Sequence, residues 1–518
     1  MTRNINTLLW LLFSVLALRL GLAAILPLAD TTEPRYAEIA RIMAETGDWI
    51  TPWFDYGVPF WGKPPLSFWA QALSFKLLGV SEFSGRLPSW LANAVIVYLI
   101  FTLRRRLHPD HTSEAARRSG LWAALIYATT ALGFLTAGTV MTDSFLALGS
   151  TLVLTSLIIR LQGGTEVWGW LFFLGLAIGL LAKGPLILVL TGLPVFLWVA
   201  VTRRWRTLWQ CLPWIRGAIL MLTIAMPWYI LAELKTPGFL DYFIVGEHFN
   251  RFLVSGWQGD LYGNAHEFTR GTIWLYLIAA GFPWSLIAIV AFGLNLWRGQ
   301  PPGHQWQPRE KGVGGLILAS ALSPAIFFTL SGNILWTYVL PGLPFLAVLT
   351  SNLWSIWSKG LARPMHPAAL ATVFLIPVIG TVAGGWLAIH PEQLKTEREL
   401  VARVNRIPGM AADSLAYLDK TPFSARFYSQ GEARTIDANL VIRRLEKGAL
   451  TEPMALAVAK GDKAMLQRLK GLADPIHENR RYRLFLLEPR PGSTAGGANR
   501  ESKTGGIDYT VTNDQPLS

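Results

Sequence analysis

Residues 30–86 read DTTEPRYAEIARIMAETGDWITPWFDYGVPFWGKPPLSFWAQALSFKLLGVSEFSGR and follow one apolar stretch at the start of the chain. The segment is long for a loop between membrane spans. It intersperses charged residues such as Asp30, Glu33, Arg35 and Lys63 with Trp, Tyr and Phe. Aromatic rings among charges are typical of the headgroup level of a bilayer. Because long ordered loops often carry function, the segment predicts chemistry at a membrane surface.

The composition is that of a membrane protein. Hydrophobic residues make up 52% of the 518 residues and charged ones only 15%, against about 25% in soluble domains. The formal net charge is +13, but the basic residues cluster at the ends of apolar spans, which indicates orientation in a membrane and not a nucleic-acid groove. A single cysteine, Cys211, excludes a disulfide framework.

Apolar stretches long enough to cross a bilayer predict an α-helical polytopic protein with eleven spans. They are Leu8–Leu28, Leu87–Leu103, Gly120–Gly138, Ser144–Leu161, Val167–Ala182, Pro185–Val201, Leu212–Ala232, Ile273–Trp297, Val313–Leu330, Trp336–Trp354 and Pro367–Ile389. The first is interpreted as a retained signal-anchor, since no small-residue cleavage site precedes Asp30. The short basic loops place the N-terminus in the cytoplasm, and the long loops and the C-terminus on the opposite face.

The chain changes character after the last span. Short apolar runs (415–418, 454–458 and 484–487) alternate with helix-like segments (424–429 and 463–472), which predicts a small α/β domain over 390–490 on the outer face. Residues 491–518 are rich in Gly, Ser and polar residues and are predicted to be disordered. Residues 1–389 are then the transmembrane domain.

Two helices are predicted inside the first outer loop. One starts at Thr32–Pro34, carries Tyr36, Ile39, Ala40 and Met43 at helical spacing and ends at Gly47. The second begins after Lys63–Pro64–Pro65. Both are interpreted as amphipathic helices lying on the membrane. The alternative is an interfacial anchor whose charges are merely solvated.

The sequence GEHFNR places Glu247, His248 and Arg251 close together. A surface ion pair between Glu247 and Arg251 is one interpretation, because they are four residues apart. An arginine that binds a phosphate bidentately is the other. Glu247, His248, His266 and Glu267 are candidate metal ligands, although their spacing matches no specific metal motif.

Three polar residues interrupt apolar stretches, namely Asp143, Lys183 and Tyr338. Asp143 can cap a helix and Lys183 can snorkel to the interface. All three nevertheless fall at the outer ends of their predicted spans, where ionisable groups usually face a cavity. Lys183 and Tyr338, with Lys63 and Arg251, would supply cations and a hydroxyl donor around one outer-facing site. Arg19, inside the first span, is expected to pair with an acid or to snorkel.

The run TEPRYAEIARIMAETGDWITPWFDYGVPFWGKPPLSFW resembles the first outer loop of the bacterial 4-amino-4-deoxy-L-arabinose lipid A transferases. These belong to the GT-C glycosyltransferases, which include the protein O-mannosyltransferases. MTDSFLAL, LAKGP, GEHFNRF and WTYVLPGLPFLA continue the resemblance in the same order. It covers roughly residues 30–349.

The resemblance implies a sugar donor linked to a polyprenyl (undecaprenyl) phosphate and an outer-leaflet acceptor such as lipid A, at the bacterial inner membrane. It implies that Lys63, Arg251, Tyr338 and Lys183, with Arg35, bind the donor phosphate, and that Asp143 contributes a carboxylate. The chain has Thr32-Glu33 where the family commonly has Asp-Glu, so we predict Asp30 as the main catalytic carboxylate with Glu33 in support. Gly62 replaces a family glutamate that could ligate a metal.

This chemistry needs cations for the departing phosphate and a carboxylate for the acceptor, but neither a nucleotide site nor any required cofactor. A divalent metal at Glu247 and His248 stays an alternative. Direct displacement would invert the anomeric centre. A protein or another glycolipid is the alternative acceptor. A lipid flippase and a structural or sensory membrane protein are the alternatives outside enzymes, although no internal repeat supports a transporter.

Overall fold

The computed structural model describes residues 2–263, 267–297, 312–358, 367–446, 450 and 452–489. The chain divides into two compact units. Unit 1 is Met1–Val401 with Pro422–Glu432, and unit 2 is Ala402–Thr421 with Ala433–Ser518. The predicted disordered tail at 491–518 lies outside the described residues.

The described part of unit 1 is helical apart from a hairpin of β1 (Trp53–Asp55) and β2 (Val58–Pro59). A π-helix (Asp241–Asn250) and a 3₁₀ helix (Trp336–Gly342) accompany its α-helices. These are α1 (Thr2–Ile25), α2 (Thr32–Thr46), α3 (Leu66–Leu78), α4 (Glu82–Arg106), α5 (Glu114–Ala128), α6 (Ala131–Thr136), α7 (Asp143–Leu161), α8 (Val167–Lys183), α9 (Leu186–Thr202), α10 (Trp205–Cys211), α11 (Trp214–Lys235), α12 (Arg251–Leu253), α13 (Thr272–Ala280), α14 (Trp284–Trp297), α15 (Val313–Phe328), α16 (Leu343–Ser358), α17 (Pro367–Ile389), α18 (Arg398–Val404, which runs into unit 2) and α19 (Phe423–Tyr428).

The predicted fold class, a helical polytopic membrane protein with a small C-terminal sheet domain, is confirmed. Within the described residues, α1, α4, α7, α11 and α17 are long and apolar enough to cross a bilayer, and α8, α9 and α15 are shorter apolar helices. Helices α13 and α14 form a pair bent by 104°. The predicted span Gly120–Gly138 is likewise divided into α5 and α6. The number of spans, eleven, stays a prediction.

Helix α2 differs from the expected surface helix because most of it is buried. Residues 36–43 are all inaccessible, including Glu38 and Arg41. Arg41 Nε donates to Glu38 Oε2 at 2.8 Å and Arg41 Nη2 donates to Glu38 Oε1 at 2.8 Å. Burial of a charge is tolerated when it is paired and hydrogen-bonded, so this pair allows the polar face to pack inside unit 1. The helix ends at Gly47, whose positive φ of 71° lets its N–H reach the Met43 carbonyl.

Arg86 joins the first span to the first outer loop. Its guanidinium donates to the carbonyls of Ala23 (3.0 Å), Leu26 and Pro27 (3.0 Å) at the end of α1. The same group forms two hydrogen bonds with Glu33, Nε to Oε1 at 2.9 Å and Nη2 to Oε2 at 2.7 Å. Glu33 Oε1 also accepts the Val140 N–H at 2.9 Å. Glu33 therefore neutralises the arginine that caps α1.

Arg19 neither snorkels nor pairs with an acid in the described part of the chain, contrary to the expectation. Its side chain is 5% exposed and donates to the carbonyls of Phe134 (2.8 Å), Leu135 (2.8 Å) and Gly138 (2.7 Å). These carbonyls lie at the end of α6, where the helix stops and helical hydrogen bonding ends. The Leu135 carbonyl also accepts from the Gly138 N–H at 3.3 Å and from the Thr139 hydroxyl at 2.8 Å. A Cβ at Gly138 would lie 2.4 Å from Arg19 Cζ, so the close approach requires glycine.

Helix α19 holds the start of the outer loop within unit 1. Ser424 donates its N–H to Asp30 Oδ1 (2.9 Å) and its hydroxyl to Asp30 Oδ2 (2.6 Å). Tyr428 accepts the Leu28 N–H at 2.7 Å, and Arg426 contacts Asp55 at 2.7 Å. The helix predicted at 424–429 exists, but it belongs to unit 1 and not to the C-terminal domain.

Unit 2 is built on a five-stranded sheet with the order β4-β3-β5-β7-β6. The strands are β3 (Leu415–Leu418), β4 (Arg434–Ile436), β5 (Met454–Ala459), β6 (Pro475–Glu478) and β7 (Tyr482–Leu487), with helices α20 (Ala438–Glu446) and α21 (Lys463–Leu469). β3 pairs in parallel with β4 and β5, whereas β7 is antiparallel to β5 and β6. The three apolar runs of the sequence form β3, β5 and β7.

We expect Arg86→Ala to destabilise the protein by about 3–5 kcal/mol, because it leaves Glu33 as an uncompensated charge and the end of α1 uncapped. Glu33→Gln should cost less, since a neutral amide can still accept from Arg86. The thermal unfolding midpoint of detergent-purified protein measures both. Glu392→Gln, which alters a contact between the half-exposed side chains of Glu392 and His390, is the control and should leave the midpoint unchanged. An unchanged midpoint in Arg86→Ala would contradict the capping role.

Candidate active site

A cavity of about 430 Å³ lies in unit 1 where the π-helix and α12 meet the ends of α8 and α15. Its polar lining is Lys63, Lys183, Glu247, His248, Arg251, Ser331, Asn333 and Tyr338. Its apolar lining is Pro185, Leu186, Val189, Phe243, Ile244, Phe249, Phe252, Leu253, Phe327 and Phe328. The cavity therefore offers cations at one part of its wall and hydrocarbon contacts over the rest.

Lys63 and Arg251 are far apart in the chain but meet at Glu247 in the cavity. Lys63 Nζ lies 3.0 Å from Glu247 Oε2. Arg251 Nη1 lies 3.2 Å and 3.3 Å from the two oxygens of the same carboxylate. Burial raises the pKa of Glu247, but the charges of Lys63 and Arg251 outweigh it and lower that pKa to about 2. Glu247 is thus ionised at any physiological pH.

Lys183 and Asp143 form a second pair at the ends of two helices. Lys183 Nζ donates to Asp143 Oδ1 at 2.7 Å. Asp143 begins α7 and Lys183 ends α8, so each charge also complements its helix dipole. The Tyr338 ring lies 4.9 Å from Lys183 Nζ, and its hydroxyl has no hydrogen-bond partner in the described ranges. Four predicted phosphate ligands, Lys63, Lys183, Arg251 and Tyr338, therefore share one cavity.

The remaining predicted site residues, Asp143 among them, lie outside the cavity lining. Arg35 donates to the Tyr262 carbonyl at 2.8 Å and lies 5.1 Å from the Tyr36 ring centroid. Asp30 is hydrogen-bonded to Ser424 and Glu33 to Arg86. Their predicted roles in phosphate binding and catalysis stay predictions, but each has contacts that serve the fold.

The described candidate metal ligands, Glu247, His248 and Glu267, each contact other groups of the protein. His248 lines the cavity, but its Nδ1 lies 2.7 Å from the Phe243 carbonyl and its Nε2 3.0 Å from the Lys183 carbonyl. Burial lowers the pKa of His248. Glu267 accepts from Ser255, and His266 lies outside the described residues. Within those residues, no group of three or more His, Cys, Asp or Glu is arranged to hold a metal. A metal at Glu247 and His248 stays a prediction.

Two residues that support Arg251 were not predicted from the sequence. Asp260 Oδ2 accepts from Arg251 Nη1 at 3.0 Å. Asn333 Nδ2 donates to the carbonyls of Arg251 (2.6 Å) and Val254 (2.7 Å) and is buried. Asp260 follows GWQG and Asn333 follows SG, which read as loop residues. The one signal in the sequence that could have indicated Asp260 and Asn333 is that each is a polar residue close in the chain to a predicted phosphate ligand, Arg251 or Tyr338.

Comparison with known proteins finds similar proteins whose names describe the transfer of a sugar. A family model described as dolichyl-phosphate-mannose-protein mannosyltransferase matches residues 4–243. The chain is 30% identical over 328 residues to the undecaprenyl phosphate-alpha-4-amino-4-deoxy-L-arabinose arabinosyl transferase of Edwardsiella ictaluri (strain 93-146), covering 62% of this chain and 54% of that protein. It is 31% identical over 359 residues to the enzyme of the same name from Pseudomonas aeruginosa (strain UCBPP-PA14), covering 66% and 59%.

The chain thus spans a little over half the length of these curated relatives. Among solved structures, ArnT from Cupriavidus metallidurans bound to undecaprenyl phosphate matches with a TM-score of 0.71 at 16% identity, over 95% of this chain and 99% of that chain. At this identity the match shows a shared fold. Together these matches confirm the resemblance noted in the sequence.

Proposed function

Since the chain is a relative of the undecaprenyl phosphate-aminoarabinose arabinosyl transferases, we propose that it is a glycosyltransferase of the bacterial inner membrane. It moves a sugar from a polyprenyl phosphate donor to an acceptor on the outer face of that membrane. The observation that carries the proposal is the single cavity in which Lys63, Lys183 and Arg251 adjoin an apolar wall. Such a cavity suits a phosphate carried by a long hydrocarbon chain.

The reaction proposed is a displacement at the anomeric carbon. The bond between that carbon and the donor phosphate oxygen breaks, and its electron pair stays on the phosphate. The acceptor oxygen forms the new bond and loses its proton to a carboxylate. Fixed cations stabilise the charge that develops on the leaving phosphate, and a buried site strengthens this effect. Lys63, Arg251 and Lys183 supply the cations, and Tyr338 supplies a hydroxyl donor.

Among the carboxylates predicted as catalytic, we propose Asp143 for the acceptor side. Its partner Lys183 lines the cavity. Asp30 instead contacts Ser424 in α19, and Glu33 contacts Arg86 in α4. The sugar is proposed to be an aminoarabinose-like pentose, from the names of the relatives. The acceptor is proposed to be lipid A, from the resemblance of the first long loop to the lipid A transferases. A protein acceptor is the second candidate, and the mannosyltransferase family model favours it.

The function is tested in cells that lack and carry the gene, by mass spectrometry of lipid A, other envelope glycolipids and envelope proteins. We expect a sugar to appear on one of these acceptors only with the gene. Lys63→Ala and Arg251→Ala should each lower transfer about 30–150-fold, because each removes a charge-assisted contact worth roughly 2–3 kcal/mol. Tyr338→Phe should do less. Full transfer by both alanine variants would contradict the assignment of the phosphate site.

The role of Asp143 is distinguished from those of Asp30 and Glu33 by replacing each carboxylate with the amide of the same shape. Asp143→Asn should lower turnover by about 10²–10⁴, the usual contribution of a general base. Asp30→Asn and Glu33→Gln should act mainly on stability, so the protein that remains folded should turn over almost normally. Single-turnover rates corrected for the folded fraction make the comparison. Normal turnover in Asp143→Asn with loss in Asp30→Asn would return the catalytic role to Asp30.

The orientation proposed for the chain has a cytoplasmic N-terminus and a periplasmic site and C-terminus. It rests on the short basic loops, all of which fall on one side. A reporter that is active only outside the cytoplasm should be active when fused after residue 400 and silent when fused near Gln305. The opposite pattern would place the cavity on the wrong face of the membrane.

A further inference from the structure

Glu247 occupies the position between the two cations of the cavity that come from separate outer loops. Its two oxygens contact Lys63 at 3.0 Å and Arg251 at 3.2 Å and 3.3 Å. A third donor, the Tyr242 hydroxyl, lies 3.3 Å from Oε1. The Glu247 side chain is 6% exposed. A carboxylate with two oxygens on two cations makes the contacts that two non-bridging oxygens of a phosphate would make.

The cations of the cavity are balanced one for one by carboxylates. Lys63, Arg251 and Lys183 contribute three positive charges. Glu247, Asp260 and Asp143 contribute three negative charges, each within 3.3 Å of at least one of those cations. The site therefore presents directed donors without a net positive charge.

This balance matters because the two phosphates of the proposed reaction differ in charge. The donor is a phosphodiester with one negative charge. The leaving polyprenyl phosphate is a monoester, whose charge at neutral pH approaches −2 because its second pKa is about 6. Coulomb attraction grows in proportion to ligand charge. Three uncompensated cations would consequently hold the product more tightly than the donor.

We propose that Glu247 sets the specificity of the phosphate site between donor and product. It competes with the bound phosphate for Lys63 and Arg251, and so lowers the affinity for the product more than the affinity for the donor. This inference rests on the proposed function. It gives Glu247 a role in release of the lipid phosphate after sugar transfer. The proposal also explains why a buried glutamate, Glu247, lies in a site that is to bind an anionic phosphate.

Glu247 is better placed for this role than the other two carboxylates. Within the described residues, Asp143 contacts one cation, Lys183, and Asp260 contacts one cation, Arg251. Glu247 bridges two cations and is the carboxylate that lines the cavity. The carboxylate remains charged throughout the working range, because Lys63 and Arg251 keep its pKa at about 2.

The test compares two ligands that differ in charge and share a tail, farnesyl phosphate and its methyl phosphodiester, on the full chain in detergent at pH 8. Glu247→Gln should bind both more tightly. Since interaction energy is proportional to ligand charge, the fold gain for the monoester should be about the square of that for the diester, on the order of 25-fold against 5-fold. Added farnesyl phosphate should also inhibit transfer at lower concentration in the variant.

Two controls make the result specific. Glu392→Gln, the same change at a half-exposed glutamate outside the cavity, should alter neither affinity. Asp260→Asn should raise the affinity for the monoester by a smaller factor than Glu247→Gln does, because the one cation that Asp260 contacts in the described part of the chain is Arg251. If Glu247→Gln does not fold, Glu247→Met removes the charge at similar volume and should give the same pattern.

Equal gains for the two ligands, or no gain, in the folded Glu247 variant would overturn the inference while leaving the proposed function intact. Equal effects of Asp260→Asn and Glu247→Gln would also overturn it, since they would show a general effect of net charge. Failure of the unmodified protein to bind either ligand, with no transfer in cells, would instead refute the proposed function itself.

Discussion

Carbonyl groups at helix ends dictate how unit 1 can be built. Inside a bilayer, water does not satisfy them, so a helix can stop or break there only where the protein supplies donors. Arg86 supplies them at the end of α1, and Arg19 supplies them at the end of α6. A guanidinium suits this task because its five N–H donors form a fixed fork. At the end of α8, which adjoins the cavity, the Tyr229 hydroxyl supplies a donor to the Leu180 carbonyl, at 2.7 Å.

The cavity lies where the ends of several helices come together. Asp143 begins α7, Lys183 ends α8 and Tyr338 lies in the 3₁₀ helix that leads into α16. His248 contacts the Lys183 carbonyl at 3.0 Å, one of the carbonyls left at the end of α8. Charges at these positions complement the helix dipoles as well as each other. Because the helices stop here, their ends bring polar and charged groups to the cavity, where these groups can bind a charged ligand.

The sequence was informative where chemistry and periodicity coincide. Long apolar stretches located the helices, and polar residues at their ends identified Lys183 and Tyr338. The long loop 30–86 identified Lys63, and the run GEHFNR identified Arg251. These four residues line one cavity. It was less informative for partners distant along the chain. Nothing local indicates that Glu33 meets Arg86, that Asp30 meets Ser424 or that Asn333 supports Arg251. The charges of α2 indicated a solvated surface, because the Glu38–Arg41 pair that permits burial depends on side-chain geometry.

Helix α19 limits whether the C-terminal region of this protein can be removed or exchanged on its own. Its residues lie between β3 and β4 in the chain, yet they belong to unit 1, where Ser424, Arg426 and Tyr428 hold the first outer loop. Removing the C-terminal region after the last span would also remove these contacts. Recombination that exchanged this region between relatives would succeed only where the donor sequence kept an equivalent helix. The two units are thus constrained to evolve together, although each has its own core.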